Sequence, residues 1–530
     1  MITLTFPAHC RRVLAALPLI GALTAAAAVE EPGPAKPEPA AAPEPAAAPA
    51  PASPAENATV KVFATARYPN IQQPWTKLPP HEVSGSGVVI EGRRILTNAH
   101  VVLYASQVQV QANQSGDKLS ASVEFVAPGI DLAVLKLDDE SFFNSHPPLP
   151  RASILPQVKD AVMVYGYPTG GTSLSITKGI VSRIEFAGYR YDVAGLRIQI
   201  DAAINAGNSG GPAVVGDRMI GLAFSRLGGG ADNIGYIVPG EEIDLFLQDI
   251  ADGHYDGKPA LFDDFQPLQN PALRASLKLD PAVHGVVVHE PLGDNPAYPL
   301  KKWDVITRIG DAPVDDEGMI KAGDDLRLAF TSLMQKISRQ GRVPLTVVRA
   351  GQLRAIEMPV LRHRPRLLPH LQGAYPSYFI YGPMVFTNAT DDIVAAMAAN
   401  QRGPAAIAML SIAGSPLVTR RSDPPAFPGE ELVLVPAAFF PHKLAKGYSV
   451  PAGRTVSSVN GIAIRNLRHL VEVLRDARDD FITIEFGGHH CESVVLPRRE
   501  AVAATEEILA DNGVRSQGSA DTLGIWNAKP

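Results

Sequence analysis

The sequence predicts a mainly β protein, in which a β-barrel region comes first and two smaller α+β units follow it. Between residues 60 and 250, short apolar runs alternate with Gly, Pro, Asn and Asp, a spacing typical of an all-β barrel or sandwich. No long helical period interrupts these runs before Glu241–Ile250. The 530 residues predict about three or four domains, and with 46% hydrophobic residues the chain can build several cores.

Charge and cysteine content exclude several classes of protein. The formal net charge of −6 argues against a dedicated nucleic-acid-binding protein, which would usually be basic. The cysteines are Cys10 and Cys491, and because Cys10 lies in a segment that we expect to be removed, no internal disulfide is expected. The run His489–Cys491 is not expected to bind a metal, since adjacent strand residues point to opposite faces. No phosphate-binding loop motif occurs, and no cofactor is expected.

The amino-terminal residues predict export. Two arginines precede the uncharged stretch Val13–Val29, which ends in small residues of the kind that a signal peptidase accepts. Residues 1–28 are therefore expected to be a signal peptide for export to the bacterial periplasm, with an uncleaved anchor or plant-organelle targeting as alternatives. Glu31–Ala55 contains nine prolines and ten alanines, so residues 29–59 are expected to form a semi-rigid linker.

Three short segments carry the residue types of nucleophilic catalysis. A histidine ends one apolar strand, an aspartate opens another, and a serine lies in a glycine-rich turn: His100 in Ile95–Val102, Asp131 in Asp131–Leu137 and Ser209 in Asp201–Pro212. Each alone has an ordinary explanation as a surface, core or turn residue. Together they follow the order His, Asp, Ser, with gaps of 31 and 78 residues that leave room for one barrel to supply two residues and a second barrel the third.

These segments resemble motifs of the HtrA (Deg) family of trypsin-like serine proteases. The similarity spans residues 60–250 and rests on three motifs: Thr-Asn-Ala-His at 97–100, Asp-Leu-Ala-Val at 131–134 and Gly-Asn-Ser-Gly-Gly-Pro at 207–212. The resemblance implies a chymotrypsin-like double β-barrel protease domain, followed by two α+β PDZ-like domains. It also implies that His100, Asp131 and Ser209 are a catalytic triad, with the histidine as general base and the aspartate orienting it.

The glycine-rich turn is also expected to supply an oxyanion hole. The backbone amides expected to converge there are those of Gly207, Asn208 and Ser209. Digestive proteases of this type carry aspartate at the position of Asn208, and because a neutral side chain cannot pair with a new amino terminus, no zymogen cleavage is expected. The resemblance instead implies control by loops, for which the candidates are Pro168–Ser173, Glu185–Leu196 and Ser225–Asn233.

Substrate preference is expected to be apolar. The resemblance assigns Ile204 to the primary specificity pocket, and no nearby charge would attract Lys or Arg. We expect a small or medium apolar residue, such as Val, Ala or Leu, before the cleaved bond. The substrate backbone is expected to pair, as an added strand, with Leu222, Ala223, Phe224 and Ser225.

Residues 262–362 resemble a PDZ domain with the permuted strand order of the HtrA family. Its pattern includes a helix expected at Asp324–Arg339. Such a domain binds C-terminal peptides as an added strand and holds the terminal carboxylate on backbone amides, here expected in the loop formed by His284, Gly285 and Val286. The alternative is a fold kept only for regulation or assembly.

Residues 370–500 resemble a second, degenerate PDZ domain, of the type found in plant Deg proteases and related bacterial proteins. The expected ligand loop, Tyr381–Phe386, contains a proline, which removes one amide donor. An intramolecular or assembly role is therefore favoured over substrate capture. Residues 501–530 are expected to form a C-terminal helix and a loose tail.

The resemblance implies an ATP-independent serine endopeptidase that acts on unfolded or misfolded proteins under PDZ control. It also implies a homo-oligomer, a trimer or a multiple of trimers joined near Val60–Arg67, with no nucleic-acid partner. Two alternatives stay open. One is a PDZ-containing chaperone or scaffold with little protease activity, and the other is a regulatory protease with a specific substrate.

Overall fold

The structure is a computed structural model that describes residues 53–226, 234–293, 295–323, 326–399 and 403–528. The expected signal peptide, most of the expected linker and residues 227–233 of the candidate loop Ser225–Asn233 lie outside the described residues. Among the described residues, no helix has both the length and the apolar character that a membrane span needs.

The first six strands close into a barrel with the order β1-β2-β3-β6-β5-β4, and each neighbouring pair is antiparallel. The strands are β1 (Thr59–Ala66), β2 (His81–Ile90), β3 (Arg94–Thr97), β4 (Ala105–Ala112), β5 (Leu119–Ala127) and β6 (Leu132–Leu137). Three short helices accompany them: α1 (Pro54–Ala58), α2 (Ala99–Val102) and a 3₁₀ helix at Glu140–Asn144. Ser53 caps α1 by accepting the backbone N–H of Glu56, which starts the chain into β1.

Strand β1 is built into this barrel on both sides. It pairs with β2 along one edge and with β4 along the other. Val60 and Val62 are fully buried, and Ala64 is 1% exposed. β1 makes up most of the segment that is expected to join copies of the chain. Its outward side chains, such as Phe63 and Thr65, are the ones left to contact another copy.

A second barrel of six strands follows, with the order β10-β11-β12-β9-β8-β7. Its strands are β7 (Ala161–Gly166), β8 (Ser175–Gly188), β9 (Ala194–Ile200), β10 (Pro212–Val215), β11 (Arg218–Arg226) and β12 (Gly235–Pro239). The helix expected at Glu241–Ile250 is present as α3 (Gly240–Asp249), and a 3₁₀ turn at Ile250–Asp252 ends it.

Alternating apolar side chains fill both barrels. Leu132 and Leu135 are fully buried in the first core, and Val162 and Ile198 are fully buried in the second. Each such side chain contributes about 1.5–3 kcal/mol through its burial. The two cores therefore act as stable frames for the turns that lie between them.

The first α+β unit has a main sheet with the order β13-β14-β15-β19-β20, β16 paired to β15, and a separate β17-β18 ribbon. Its strands are β13 (Asp264–Pro267), β14 (Val286–Glu290), β15 (Val305–Ile309), β16 (Ala312–Pro313), β17 (Met319–Lys321), β18 (Arg327–Ala329), β19 (Arg342–Arg349) and β20 (Gln352–Pro359). Its helices are α4 (Pro271–Ser276), a 3₁₀ helix at Phe330–Leu333 and α5 (Met334–Ile337).

The prediction of a long helix at Asp324–Arg339 is wrong. Phe330, Met334 and Ile337 have helical spacing, but among the described residues of this range helical structure occupies only residues 330–337, as a 3₁₀ turn followed by one α turn. The preceding residues hydrogen-bond to β17 instead and form β18. Pairing with a neighbouring strand therefore overrides the local periodicity.

The second α+β unit has a sheet with the order β21-β22-β23-β24-β26-β27 and β25 paired to β24. Its strands are β21 (Tyr378–Tyr381), β22 (Met384–Asn388), β23 (Val433–Leu434), β24 (Thr455–Val459), β25 (Ile462–Ala463), β26 (Phe481–Phe486) and β27 (Val494–Pro497). Its helices are α6 (Asp391–Ala399), α7 (Gly403–Ile412), α8 (Pro416–Thr419), a 3₁₀ turn at Lys443–Ala445, α9 (Leu467–Asp476), α10 (Arg498–Asp511) and α11 (Ala520–Trp526). The insertion of α6–α8 between β22 and β23 has no counterpart in the sequence prediction.

The C-terminal tail, expected to be loose, is packed against this unit. Ile380 donates its backbone N–H to the carbonyl of Gln517 at 2.8 Å, and Ser519 donates to the carbonyl of Tyr378 at 3.0 Å. The tail thus pairs with the outer edge of β21 and continues into α11. The ring of Trp526 in α11 lies 5.1 Å from that of Phe379. The expectation of a loose tail is wrong because strand pairing and aromatic packing hold it.

Candidate active site

The expected catalytic histidine stands at the start of α2, directly after β3. Asn98 precedes the helix in an extended conformation and marks its beginning. Val101 and Val102 are 2% and 3% exposed and anchor the helix to the barrel core. His100 points the other way and keeps 29% of its side chain exposed. The first barrel therefore presents an accessible imidazole on a fixed backbone.

Asp131 holds His100 through both carboxylate oxygens. Its Oδ2 lies 2.7 Å from His100 Nδ1, and its Oδ1 accepts the backbone N–H of His100 at 2.9 Å. The side-chain amide of Asn98 donates to the Asp131 carbonyl at 2.9 Å, which fixes the backbone at a residue with a φ of 60°. The Asp131 side chain is only 5% exposed. Because Nδ1 faces the carboxylate, Nε2 is the nitrogen left to act as a base.

Ser209 lies in the tight turn before β10. Gly207 and Gly210 have φ values of 97° and 89°, in the left-handed region that favours glycine. A Cβ on Gly210 would lie 2.0 Å from the carbonyl oxygen of Ser86 on β2, so only glycine fits there. The carbonyl of Ser209 accepts the backbone N–H of Ser86 at 2.8 Å. The turn that carries the expected nucleophile is thus attached directly to the first barrel.

The backbone amides of this turn differ in their availability. Within the described part of the chain, the N–H groups of Gly207 and Ser209 donate to no protein acceptor. The N–H of Asn208 instead donates to the carbonyl of Asn205 at 3.0 Å. The inclusion of Asn208 in the oxyanion hole is therefore wrong, because its only donor is used to close the turn. Two amides are left to stabilise an oxyanion.

Ser86, a residue that the sequence prediction missed, holds the same turn from the side of β2. Its fully buried hydroxyl donates to the carbonyl of Gly207 at 2.7 Å and accepts the backbone N–H of Tyr167 at 2.8 Å. The peptide group between Gly207 and Asn208 is therefore held at its oxygen by Ser86 and at its nitrogen by the turn. The sequence signal is the run Gly85–Gly87, since glycines within a strand mark close backbone approach.

The side chain of Asn208 is fully buried under this turn. Its amide oxygen and nitrogen make no hydrogen bond among the described residues. It packs over Gly166, where an added Cβ would lie 2.8 Å from the Cα of Asn208. A carboxylate at this site would be an uncompensated buried charge, whereas a neutral amide avoids that cost.

The residue expected to line the specificity pocket lies against the core of the second barrel. Ile204 is 6% exposed, and a Cβ on the facing Gly235 would lie 2.7 Å from its Cδ1. Leu222 and Ala223 are fully buried on β11. Leu222 and Ala223 therefore belong to the cores, and Ile204 is the one of the three that keeps a small exposed apolar surface.

The strand expected to bind the substrate backbone begins two residues later than predicted. Ala223 donates its N–H to Gly211 at 2.9 Å and accepts the N–H of Gly210 at 2.8 Å. Both of its backbone groups are thus used within the turn, and the same holds for Leu222, which pairs with β10 and β12. The inclusion of these two residues as backbone partners is wrong. Phe224 lies at a register shift and is the first residue of β11 outside this pairing.

The end of β11 continues as a strand beyond Phe224. Ser225 pairs with Tyr236 on β12, and its side chain lies outside the described residues. The ring of Phe224 stacks on Tyr189 at 5.0 Å. Burial raises the pKa of Tyr189 well above its ordinary value, so this hydroxyl stays protonated. The surface beside the candidate site is therefore aromatic and uncharged at this point.

The candidate control loops differ from their predicted extents. Pro168–Ser173 is an irregular segment between β7 and β8, as expected. Glu185–Leu196 is mostly strand, because β8 and β9 pair from Glu185↔Arg197 through Gly188↔Ala194, and only residues 189–193 form the turn. The broader loop assignment is wrong for that reason. Arg190 in the turn donates its N–H to Gly129 of the first barrel at 3.2 Å.

The expected carboxylate loop of the first α+β unit is already occupied. The backbone N–H of Gly285 donates to Asp316 Oδ1 at 3.2 Å, and His284 Nδ1 lies 3.0 Å from Asp316 Oδ2. Val286 belongs to β14, which lies inside the sheet, whereas β13 and β20 form its edges. A peptide that extends this sheet cannot pair with β14, and the assignment of His284, Gly285 and Val286 is therefore wrong.

The expected ligand loop of the second unit is covered by the chain itself. Tyr381 and Met384 end a hairpin between β21 and β22, and Gly382 donates its N–H to Thr505 Oγ1 of α10 at 2.9 Å. The edge of β21 is paired with the C-terminal tail. The chain itself therefore occupies both this loop and the outer edge of β21.

Comparison with known proteins locates two families in the chain. The model of the trypsin-like peptidase domain matches residues 85–222, which include the segments of His100, Asp131 and Ser209. The model of the PDZ domain matches residues 368–521, which covers the second α+β unit and most of its C-terminal helices.

Individual relatives match over most of the chain. Protease Do-like 2, chloroplastic, of Arabidopsis thaliana is 35% identical over 474 residues, which cover 88% of this chain and 75% of the relative. Protease Do-like 4, mitochondrial, of the same organism is 34% identical over 473 residues, with 88% and 86% covered. Among solved structures, the HtrA-type protease AlgW with a decapeptide is 26% identical, covers 59% of this chain and 97% of its own, and has a TM-score of 0.44.

Proposed function

This chain belongs to the Do-like (HtrA/Deg) family of serine endopeptidases, and we propose that it cleaves unfolded or misfolded proteins with His100, Asp131 and Ser209 as its catalytic triad. The observation that carries the proposal is the attachment of His100 to Asp131 at two points, 2.7 and 2.9 Å. This pair supports a histidine held in one tautomer.

The mechanism follows from these groups. Ser209 Oγ attacks the scissile carbonyl while His100 Nε2 takes its proton, and the same nitrogen then protonates the leaving amine. Asp131 stabilises the imidazolium that forms in between. The N–H groups of Gly207 and Ser209 donate to the tetrahedral oxyanion, and loss of one such donor costs about 3 kcal/mol of transition-state stabilisation.

The substrate class is inferred from the apolar lining and the PDZ-like units. Ile204, which is 6% exposed, offers apolar surface near the turn of Ser209, which suits the apolar residues that unfolded proteins expose. The edge strand β13 can accept an extended peptide, and we propose that C-terminal peptides bind there and regulate cleavage without ATP.

The direct test compares cleavage of unfolded β-casein by the wild-type chain and by Ser209→Ala. Ser120→Ala on β5 is the matched control, because Ser120 is an exposed serine on a strand that carries no residue of the proposed triad. We expect fragments from the wild type and from the control but none from Ser209→Ala. No cleavage by any of them, together with suppression of casein aggregation, would instead support a chaperone or scaffold.

Compartment and assembly are further proposals. We propose that residues 1–28 direct export and are removed, which N-terminal sequencing of protein recovered from a bacterial periplasm would check. We also propose a homo-oligomer built from trimers, which analytical ultracentrifugation would test. A monomer across micromolar concentrations would contradict the second proposal.

A further inference from the structure

The second α+β unit is fastened to the protease barrels beside the candidate active site. The guanidinium of Arg366 donates two hydrogen bonds to the Asp192 carboxylate in the turn between β8 and β9. Tyr104, after α2, donates its hydroxyl to the carbonyl of Ala374 at 3.2 Å. Tyr375 donates its hydroxyl to the carbonyl of Arg67 at 2.8 Å. These contacts fix the segment 366–375 against both barrels.

Aromatic rings also pack together at this junction between the second α+β unit and the protease barrels. Tyr104 lies between Tyr68 and Tyr375, with ring centroids 5.4 and 5.5 Å apart, and the ammonium of Lys77 lies 4.2 Å from the centre of the Tyr375 ring. Trp75 of the loop between β1 and β2 packs on Phe440 of the second unit at 5.4 Å. Each aromatic pair of this kind stabilises the junction by about 0.5–1.5 kcal/mol beyond the burial of its surface.

A cavity of about 390 Å³ lies at this junction, and His100 forms part of its wall. The protease side contributes Leu78, Leu103 and the rings of Tyr68, Tyr104 and Tyr191. The second unit contributes Leu371, Asp392 and Ala395, the last two from α6. The cavity is therefore lined by both parts of the chain and reaches the imidazole that we propose as the general base.

We propose that this cavity is a substrate subsite and that the second PDZ-like unit forms its outer wall. It would take an apolar side chain of the substrate as the peptide passes His100. The inference rests on the proposed function, because only a peptide bound for cleavage passes that imidazole. It gives α6 a role in choosing the cleavage site.

The side chains that line the cavity favour an apolar side chain of the substrate. The surface offered by Leu78, Leu103 and Leu371 is aliphatic, and the tyrosine rings add aromatic faces. Burial raises the pKa of Tyr104 to about 12, so its hydroxyl remains neutral.

The charged members of the cavity wall do not alter this choice. The Asp392 carboxylate is turned toward the backbone, where Oδ2 accepts the N–H of Leu371 at 2.8 Å. His370 Nδ1 also lies 3.9 Å from the same carboxylate oxygen. The hydrogen bond also ties Leu371 to α6 within the outer wall.

Ala395 offers the sharpest test, because it is small, exposed and on the cavity face of α6. Ala395→Trp would fill the cavity from the second unit. Ala396→Trp, at the next and equally exposed position of the helix, is the matched control outside the cavity lining. Leu78→Trp fills the cavity from the opposite wall. Because it does not alter α6, it separates the effect of filling the cavity from the effect of disturbing that helix.

The measurement is a cleavage-site profile of the full chain on a peptide library, together with labelling of Ser209 by a fluorophosphonate probe. We expect Ala395→Trp and Leu78→Trp to lower kcat/KM about tenfold for peptides with Leu or Phe at one position beside the cleaved bond, and to leave peptides with Gly there unchanged. Ala396→Trp should match the wild type, and the probe should label all four proteins.

The outcomes separate the two proposals. Failure of the probe to label the wild type, with no cleavage, would overturn the proposed function. Normal labelling with an unchanged profile in Ala395→Trp and Leu78→Trp would overturn the subsite and leave the protease intact. A uniform loss across all peptides, equal in Ala396→Trp, would also overturn it, since that pattern reports a disturbed helix.

Discussion

The two barrels support their halves of the candidate active site in different ways. In the first barrel, His100 sits on a helix anchored in the core and is hydrogen-bonded twice by Asp131, whose backbone is fixed in turn by Asn98. In the second barrel, Ser209 lies in a turn that needs two left-handed glycines. That turn is also held by Ser86, which belongs to the other barrel.

This difference indicates where the site can be adjusted. The acid–base half is fixed by elements of its own barrel, so its geometry follows from the fold. The nucleophile half depends on contacts from outside its barrel, and such supports can be strengthened or weakened by other parts of the chain. Substitutions in the first half should therefore abolish activity, and those in the supports of the second should reduce it in steps.

Among substitutions that leave both His100 and Ser209 in place, the largest effect is expected from Asp131→Asn, which disrupts only the acid–base half of the site. The amide can still accept the backbone N–H of His100 but favours the wrong imidazole tautomer, so kcat should fall about 10⁴-fold with the fold intact. Peptide cleavage kinetics would measure the loss. Asp138→Asn is the control: this exposed residue directly follows β6, whereas Asp131 directly precedes it, and the variant should retain full activity.

A smaller effect is expected from Gly207→Ala, which distorts the turn that carries the nucleophile Ser209. An added Cβ would lie 2.3 Å from the carbonyl oxygen of Tyr167, so the turn must shift and one oxyanion donor is lost. We expect kcat to fall about 10²- to 10³-fold. Gly216→Ala also places alanine at a positive φ, of 59°, but meets nothing within 4 Å. Equal losses in both variants would mean that strain, and not the turn geometry, is responsible.

Ser86→Ala tests the same comparison by removing the hydroxyl of the first barrel that hydrogen-bonds to the turn of Ser209 in the second. It leaves the Gly207 carbonyl and the Tyr167 N–H without their buried partner, which should lower the free energy of unfolding by about 1–3 kcal/mol. Urea unfolding would measure that change, and kcat should fall less than in Gly207→Ala. Ser84→Ala, two residues earlier on β2, should change neither quantity.

The smallest effect is expected from Arg366→Gln, which weakens the outer attachment of the turn at 189–193. Burial opposes ionisation of Asp192, but the hydrogen bonds and charge of Arg366 outweigh it and hold the pKa of Asp192 below its ordinary value. The pair should therefore contribute about 1 kcal/mol to stability at pH 7. Because the folded-state pKa is lowered, this difference between wild type and variant should shrink as the pH falls below about 4. A difference that is constant with pH would contradict an ionic role.

The sequence predicts the barrels, and it selects His100, Asp131 and Ser209, because short motifs and apolar runs are local signals. It misassigns Asn208, since the bond from that amide to Asn205 depends on how the turn closes. It misses the covering of β21 by the C-terminal tail for a similar reason, because that pairing joins Tyr378 and Ser519 across the whole second unit. Contacts between segments distant in the sequence decide these features.

The most direct test of the central claim is a comparison of His100→Ala, Ser209→Ala and the double variant in one peptide cleavage assay. Residues that act as one catalytic unit lose their effect together, so each single variant should lower kcat by about 10⁶-fold and the double variant by no more. Losses that multiply in the double variant, or full activity in His100→Ala, would contradict a triad built from His100, Asp131 and Ser209.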